Sequence, residues 1–266
     1  MNLTGKVAFV TGAAQSQGRN HAVKLAASGA DIIAIDICEQ VEFVPYSMGS
    51  EDGLDETTEL VEKTGARIHT ARCDVRDLAG LQKVVTEGVA LFGGLDIVVA
   101  NASICTVQPF EDITPEVWST TLDINLTGVW NTCSAAIPHL TARGGGSIAV
   151  TGSTGSVVGL PFYLPYVASK HALIGVVRSL ALELADRNIR VNAILPTGVD
   201  TPQGHSGVLP SLLERRPDLA PIFMNSLPVE RIEASDVTSA LLFLVSEGAR
   251  YITGISLPVD AGSTIR

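Results

Sequence analysis

The chain has 266 residues, of which 46% are hydrophobic and only 17% charged, and it carries a net charge of −10 at pH 7. This composition excludes a disordered polymer, and the acidic balance works against a phosphate-backbone partner, so nucleic acid is not expected. Cys38, Cys73, Cys105 and Cys133 are too dispersed for a metal cluster or a disulfide framework, so no metal is expected and the thiols read as small buried residues of a reducing cytosol.

In chain order, the opening residues Met1 to Lys6 show no basic stretch leading into an apolar core, so no signal peptide and a cytoplasmic location are expected. No apolar run has the length of a membrane helix, and no membrane partner is expected. Short β-branched runs at 7–10, 31–35, 67–72, 95–100, 147–151, 190–194 and 256–259 predict strands. Helical patterns separate them at about 18–28, 53–64, 77–92, 114–141, 163–186 and 234–247. Most of the strands are apolar throughout, as parallel strands covered on both faces must be. The alternation predicts a single α/β domain, a Rossmann-type doubly wound parallel sheet of about seven strands over residues 1–266. Thr114-Pro115 reads as a helix start, and Gly29 and Gly65 as helix stops. Two stretches interrupt the pattern, an insertion at 37–52 and a proline-rich lobe at 197–232. Both follow strand C-termini, where ligands bind in such sheets, so they read as covers for a site.

Residues 11–18, Thr-Gly-Ala-Ala-Gln-Ser-Gln-Gly, join the first strand to the first helix. Gly12 and Gly18 allow a tight turn and close backbone approach. The helix N–H groups beyond them, with Gln15, Ser16 and Gln17, face an anionic pyrophosphate. Asp36 ends the second strand, 18 residues after Gly18. A carboxylate there accepts from the ribose hydroxyls and repels a 2′-phosphate, and no cation follows it, since Ile37 and Cys38 come next. Arg19 is the nearest cation and the one argument for the phosphorylated cofactor; on balance the residues favour NAD over NADP.

Tyr166 and Lys170 stand four apart on one face of a helix. An ammonium beside a phenol is expected to lower the phenol's pKa, making Tyr166 a general base for an alcohol proton and the proton donor in the reverse direction. Ser153 lies just past the fifth strand, where its hydroxyl can bond the reacting oxygen, with Ser156 as a rival. Asn125 lies in the helical stretch 114–141 between Ile124 and Leu126, which suggests a buried amide with specific partners. Tyr163 has no lysine partner and reads as a pocket residue.

Taken together, these residues resemble the short-chain dehydrogenase/reductase family over the whole chain. The likeness runs through the turn at 11–18, Asp36, Asp74-Val75, Ala100-Asn101-Ala102, Asn125, Ser153, Tyr166, Lys170 and Pro196-Thr197-Gly198. It implies an oxidoreductase with a tetrad of Asn125, Ser153, Tyr166 and Lys170, in which the lysine also holds the nicotinamide ribose and the asparagine organises a water. It places Ile37, Asp74 and Val75 at the adenosine end, Asn101 and Ala102 beside the cofactor, and Pro196, Thr197, Gly198, Val199 and Thr201 over the carboxamide. Ser16 replaces the family's central glycine, which would strain any left-handed backbone there, and Ser103 replaces a glycine after Asn101. The insertion with Pro45-Tyr46, the run Asn20-His21-Ala22-Val23 and the ending Leu257-Pro258-Val259-Asp260-Ala261-Gly262 resemble mycofactocin-coupled, carveol-dehydrogenase-like members. Leu195 and Asp200 depart from that group. The narrower likeness implies NAD held without free exchange, the insertion closing over the adenosine end, and re-oxidation by a peptide-derived redox carrier. The substrate is expected to be a small hydrophobic alcohol or ketone, with walls from 103–107, 157–163 and 200–227. Apolar residues around helices 114–141 and 163–186, among them Val129, Trp130, Leu173, Val176, Val177 and Leu180, predict a partner surface, and the family likeness implies a homotetramer.

Overall fold

In the computed structural model, which describes residues 1–266, seven strands form one parallel sheet. They are β1 Val7–Thr11, β2 Asp31–Asp36, β3 Ile68–Arg72, β4 Ile97–Ala100, β5 Gly146–Thr151, β6 Ile189–Pro196 and β7 Ser256–Val259. Their order, β3-β2-β1-β4-β5-β6-β7, reverses the direction of winding between β1 and β4 and opens a crevice at the strand C-termini there. Helices α1 Ser16–Ala27, α2 Glu51–Glu62 and α8 Ala234–Val245 cover one face, and α3 Leu78–Phe92, α5 Gly128–Arg143 and α6 Leu164–Glu183 the other. Helices α4 Pro115–Leu122 and α7 Val208–Arg215 lie outside these layers, α4 against α6.

The unbroken apolarity of the strands follows from this sandwich. Along β1, Ala8 and Val10 pack with Ala22, Leu25, Val237 and Leu241, while Val7 and Phe9 pack with Leu81, Val129 and Leu173. Alternate side chains point to opposite faces, and both faces are dry. Local chemistry marks the element ends. The Thr114 hydroxyl accepts from the Val117 N–H at 3.2 Å, with Pro115 opening α4. Gly29 follows α1 at φ 103°, where a Cβ would press on the Thr4 backbone. No helix is long and apolar enough to cross a membrane.

Three expectations are corrected. The helix expected at 114–141 is two helices, α4 and α5, joined by a π-helical turn, Asp123–Thr127, that contains Asn125. The lobe expected to be irregular carries α7 and two 3₁₀ turns, Gln203–His205 and Pro217–Phe223. The insertion's loop stops at Ser50, whose hydroxyl caps α2 by accepting from the Gly53 N–H at 3.1 Å. Within this loop Val44 is buried and Val41, Phe43, Tyr46 and Met48 pack on the core. The Gln40 amide donates to the carbonyls of Val41, Val44 and Tyr46 at 3.1, 3.1 and 3.2 Å, and its oxygen accepts from the Met48 N–H at 3.1 Å. One side chain therefore ties the loop together.

Candidate active site

A cavity of about 670 Å³ opens at the strand C-termini over the β1/β4 crevice. Its floor begins with the turn after β1. Gly12 adopts φ 69°, and a Cβ on Gly18 would lie 1.8 Å from the Gly12 carbonyl oxygen, so neither position admits a side chain. Ser16 sits at φ 52°, inside the left-handed region that its side chain disfavours. The Gln17 Oε1 is buried without a protein partner on the same wall. Asp36 is buried; its Oδ2 accepts from the Ala14 N–H at 3.0 Å and its Oδ1 from the Cys38 N–H at 3.1 Å. Gly49 of the insertion lies directly on it, since a Cβ there would come within 2.7 Å of Asp36 Oδ1. Arg19 points elsewhere. It donates to the carbonyls of Ala14 and Gly53 at 2.5 and 2.9 Å and to Thr57 Oγ1 at 3.1 Å, and pairs with Glu56 at 2.6 Å. Its expected claim on a 2′-phosphate is thus taken up by tying the turn to α2. The donors and the bare backbone suit a pyrophosphate and an unphosphorylated ribose.

At the far end, Ser153 and Tyr166 line the cavity, while Lys170 and Asn125 lie behind its wall. The Lys170 ammonium, 1% exposed, donates to the Thr151 carbonyl at 2.7 Å and lies 5.5 Å from the centre of the Tyr166 ring. The Ser153 hydroxyl accepts from the Gly155 N–H at 3.1 Å and shares the cavity wall with Tyr166. Ser156, the rival, accepts from the Ser153 N–H at 3.2 Å and does not line the cavity. The Asn125 side chain is spent on protein: its oxygen accepts from the Ile104 N–H at 2.8 Å, and its amide donates to the Ile104 carbonyl at 2.8 Å and to Ser169 Oγ at 3.2 Å. It staples the segment after β4 to the start of α6, the helix that carries Tyr166 and Lys170.

The electrostatics differ from the sequence expectation. Burial pushes the Tyr166 phenol well above its ordinary pKa, with the Cys105 thiol adding to the rise and hydrogen bonds from Ser153 and Gln203 opposing it. Burial also lowers Lys170 to about 8. Burial penalises both charged forms before the pair can gain from its attraction, and that cost outweighs the expected depression of the phenol.

Of the residues expected at the cofactor, Gly12, Gln15, Ser16, Gln17, Gly18, Asp36, Ile37, Asp74, Val75, Asn101, Ala102, Tyr166, Pro196, Thr197, Gly198, Val199 and Thr201 line this cavity, whereas Lys170, expected to hold the nicotinamide ribose, does not. Asn101 knits the floor together, donating to the Thr11 carbonyl at 3.1 Å and accepting from Thr151 Oγ1 at 3.2 Å. Of the expected substrate walls, Val158, Leu160, Tyr163, Leu209 and Phe223 line the cavity, whereas Phe162 and Met224 do not. Among the further lining residues are two from stretches expected to cover the site, neither singled out there as a site residue. Tyr46 reaches from the insertion to the Tyr166 end, and Gln203 comes from the lobe. Neither stands at a spacing that a motif or periodicity would single out.

Comparison with known proteins agrees with this geometry. A family described as enoyl-(acyl carrier protein) reductase matches residues 12–264. A (−)-trans-carveol dehydrogenase of Rhodococcus erythropolis is 46% identical, covering 98% of this chain and 98% of its own. A carveol dehydrogenase of Mycobacterium avium, solved in complex with NAD, superposes with a TM-score of 0.93 at 45% identity, covering 100% of this chain and 99% of that one. A short-chain dehydrogenase of Mycobacterium paratuberculosis bound to NAD superposes with a TM-score of 0.98 at 44% identity, covering both chains fully.

Proposed function

Because the chain belongs to the short-chain dehydrogenase/reductase family, we propose that it is an NAD-dependent oxidoreductase interconverting a hydrophobic secondary alcohol, of the terpenoid kind, and its ketone. The observation that carries this reading is the meeting of Ser153 and Tyr166 on one wall of a cavity whose other end is a glycine turn beside Asp36. Bound here, NAD would supply the hydride-transfer chemistry that interconverts alcohol and ketone.

Each residue then has a task. Asp36 receives the ribose hydroxyls and repels a 2′-phosphate. The Ser153 hydroxyl donates to the substrate oxygen as charge develops on it. Tyr166 takes the hydroxyl proton in oxidation and returns it in reduction. Lys170 holds a positive charge behind the phenol, and Asn125 fixes the frame on which Tyr166 and Lys170 stand. Val158, Leu160, Leu209 and Phe223 offer apolar surface to the substrate. A panel of secondary and terpenoid alcohols, followed by nicotinamide absorbance, tests the reading. Turnover is expected for the wild type, and Tyr166→Phe should abolish it while binding NAD nearly as well. Equal activity in that variant refutes the assignment of the base.

The reading extends to cofactor retention. Gln15 Nε2 donates to the Ser47 carbonyl at 3.1 Å, and with Gly49 on Asp36 this lays the insertion along the adenosine end. Such a strap supports NAD that stays bound through turnover and is re-oxidised in place by a peptide-derived redox carrier in the cytoplasm. Denaturing the purified protein should release stoichiometric NAD, and labelled NAD added beforehand should fail to exchange. An empty, freely exchanging site would point to an ordinary member of the family.

A further inference from the structure

The insertion and the lobe meet over Tyr166 through a pair of side chains that the reaction described above leaves unused. Tyr46 is partly buried, its ring packed against the core, and its hydroxyl accepts from the Cys105 N–H at 3.0 Å. The same hydroxyl donates to Gln203 Oε1 at 3.4 Å. A phenol has one proton to give. With a backbone N–H already directed at its oxygen, that proton is satisfied by a carbonyl oxygen and not by an NH₂ group, so the Gln203 amide is held with Oε1 toward Tyr46. Its NH₂ is then the group left for the cavity, which Gln203 lines together with Ser153 and Tyr166, and there Gln203 and Ser153 oppose the burial-driven rise of the phenol.

We propose that Gln203 is a further catalytic residue, donating from its NH₂ to the Tyr166 oxygen, and that Tyr46 is the positioning residue that holds the amide in that orientation. This rests on Tyr166 being the proton-transfer group. Gln203 keeps both its protons throughout: the substrate proton passes to Tyr166, and the amide stabilises the phenolate that receives it. The insertion is thereby coupled to the chemical step as well as to the cofactor.

The other titratable groups facing Tyr166 are Cys105, Tyr46, Tyr163 and Lys170, with Arg231 reaching Tyr163. Burial holds the Cys105 thiol at about 12 and pushes Tyr46 and Tyr163 well up, so these stay neutral donors while Lys170, at about 8, changes charge nearby. A test must therefore resolve Tyr166 itself. Difluorotyrosine lowers phenol pKa values into a range the folded protein tolerates, and fluorine NMR of the NAD-saturated protein follows each ring; Tyr166→Phe identifies the resonance.

Gln203→Met keeps the volume and removes the amide. Its Tyr166 resonance should titrate about one unit higher, the shift expected for one lost hydrogen bond to a charged oxygen. The rising limb of kcat against pH in alcohol oxidation should move with it, with the KM for NAD unchanged. Tyr46→Phe should shift both in the same direction by less, and the double variant should show no more than Gln203→Met alone. Wild-type titration and pH profile in both single variants would overturn the proposal, and a normal Tyr46→Phe beside a shifted Gln203→Met would remove Tyr46 from it. The NMR titration needs no substrate, so a protein that oxidises no alcohol would defeat the enzymatic reading and still leave this arrangement to be judged.

Discussion

Ser16 holds a backbone conformation, φ 52°, that costs a non-glycine residue about 1–2 kcal/mol. Cys38 at φ 50° and Phe162 at φ 71° are strained in the same way, and all three border or adjoin the cavity, where such strain collects when function dictates geometry. Ser16→Gly should relieve the strain. After the added chain entropy of glycine is subtracted, about 0.5–1 kcal/mol should remain, visible as a higher thermal midpoint and a slightly tighter site for NAD. A lower midpoint would mean that the serine makes a compensating contact. Lys170 carries a penalty of another kind. Its folded pKa of about 8 lies below its unfolded value, so the folded state gives up the proton first. The penalty is present in full below pH 8 and fades as pH rises towards about 10.4, so this residue makes stability increase with pH across that window. Lys170→Met should abolish turnover yet raise stability at pH 7 by about 2 kcal/mol, after allowing for the bond lost at Thr151. Chemical denaturation at pH 7 and pH 10 checks both the gain and its shrinkage with pH. The spacing of Tyr166 and Lys170 was legible in the sequence. The direction of the phenol's shift was not, because dryness is a property of the packed site and not of two residues four apart.

At the scale of elements, the π-helical turn Asp123–Thr127 shows what periodicity cannot carry. The turn continues the helical pattern on either side of it, and it is from this wider turn that Asn125 bonds Ile104 and Ser169. Asn125→Leu should therefore reduce activity by loosening the base of α6, with a loss of stability from the unpaired Ile104 backbone of about 2 kcal/mol. The insertion is a second example. Its position between β2 and α2 was readable as a break in the alternation, but its organisation around Gln40 depends on the carbonyls of Val41, Val44 and Tyr46 converging on one amide. Gln40→Leu should leave the thermal midpoint within a few degrees and speed NAD release severalfold, measured by exchange against labelled cofactor. An unchanged rate would show that the strap is held by its packing on the core alone.

For the molecule as a whole, both faces of the sheet are satisfied within the protomer, and the apolar residues left outside raise the question of assembly. Of the six residues expected to form a partner surface, Val129, Leu173 and Val177 are core, Val176 and Leu180 are half-buried, and Trp130 is 51% exposed. Trp118 on α4 and Leu164 and Leu182 on α6 are exposed as well. A homotetramer joined through α5 and α6 would cover this surface. Light scattering should return four protomer masses, and Trp130→Glu should lower that mass without unfolding the chain. A single protomer mass for the wild type removes the assembly from the account.

The order of strands and helices, the glycine turn, Asp36 and the tyrosine–lysine pair could be read from the sequence alone, because each rests on local chemistry: a repeat in hydrophobicity, a backbone that tolerates no side chain, a fixed helical spacing. What only the tertiary structure decided is who meets whom at the far end of the cavity. Tyr46 and Gln203 are 157 positions apart and come together at Tyr166 through two loops without periodic signal. The protonation balance of the site was decided there too, since the burial that raises Tyr166 and lowers Lys170 exists only once the distant segments around them have packed together.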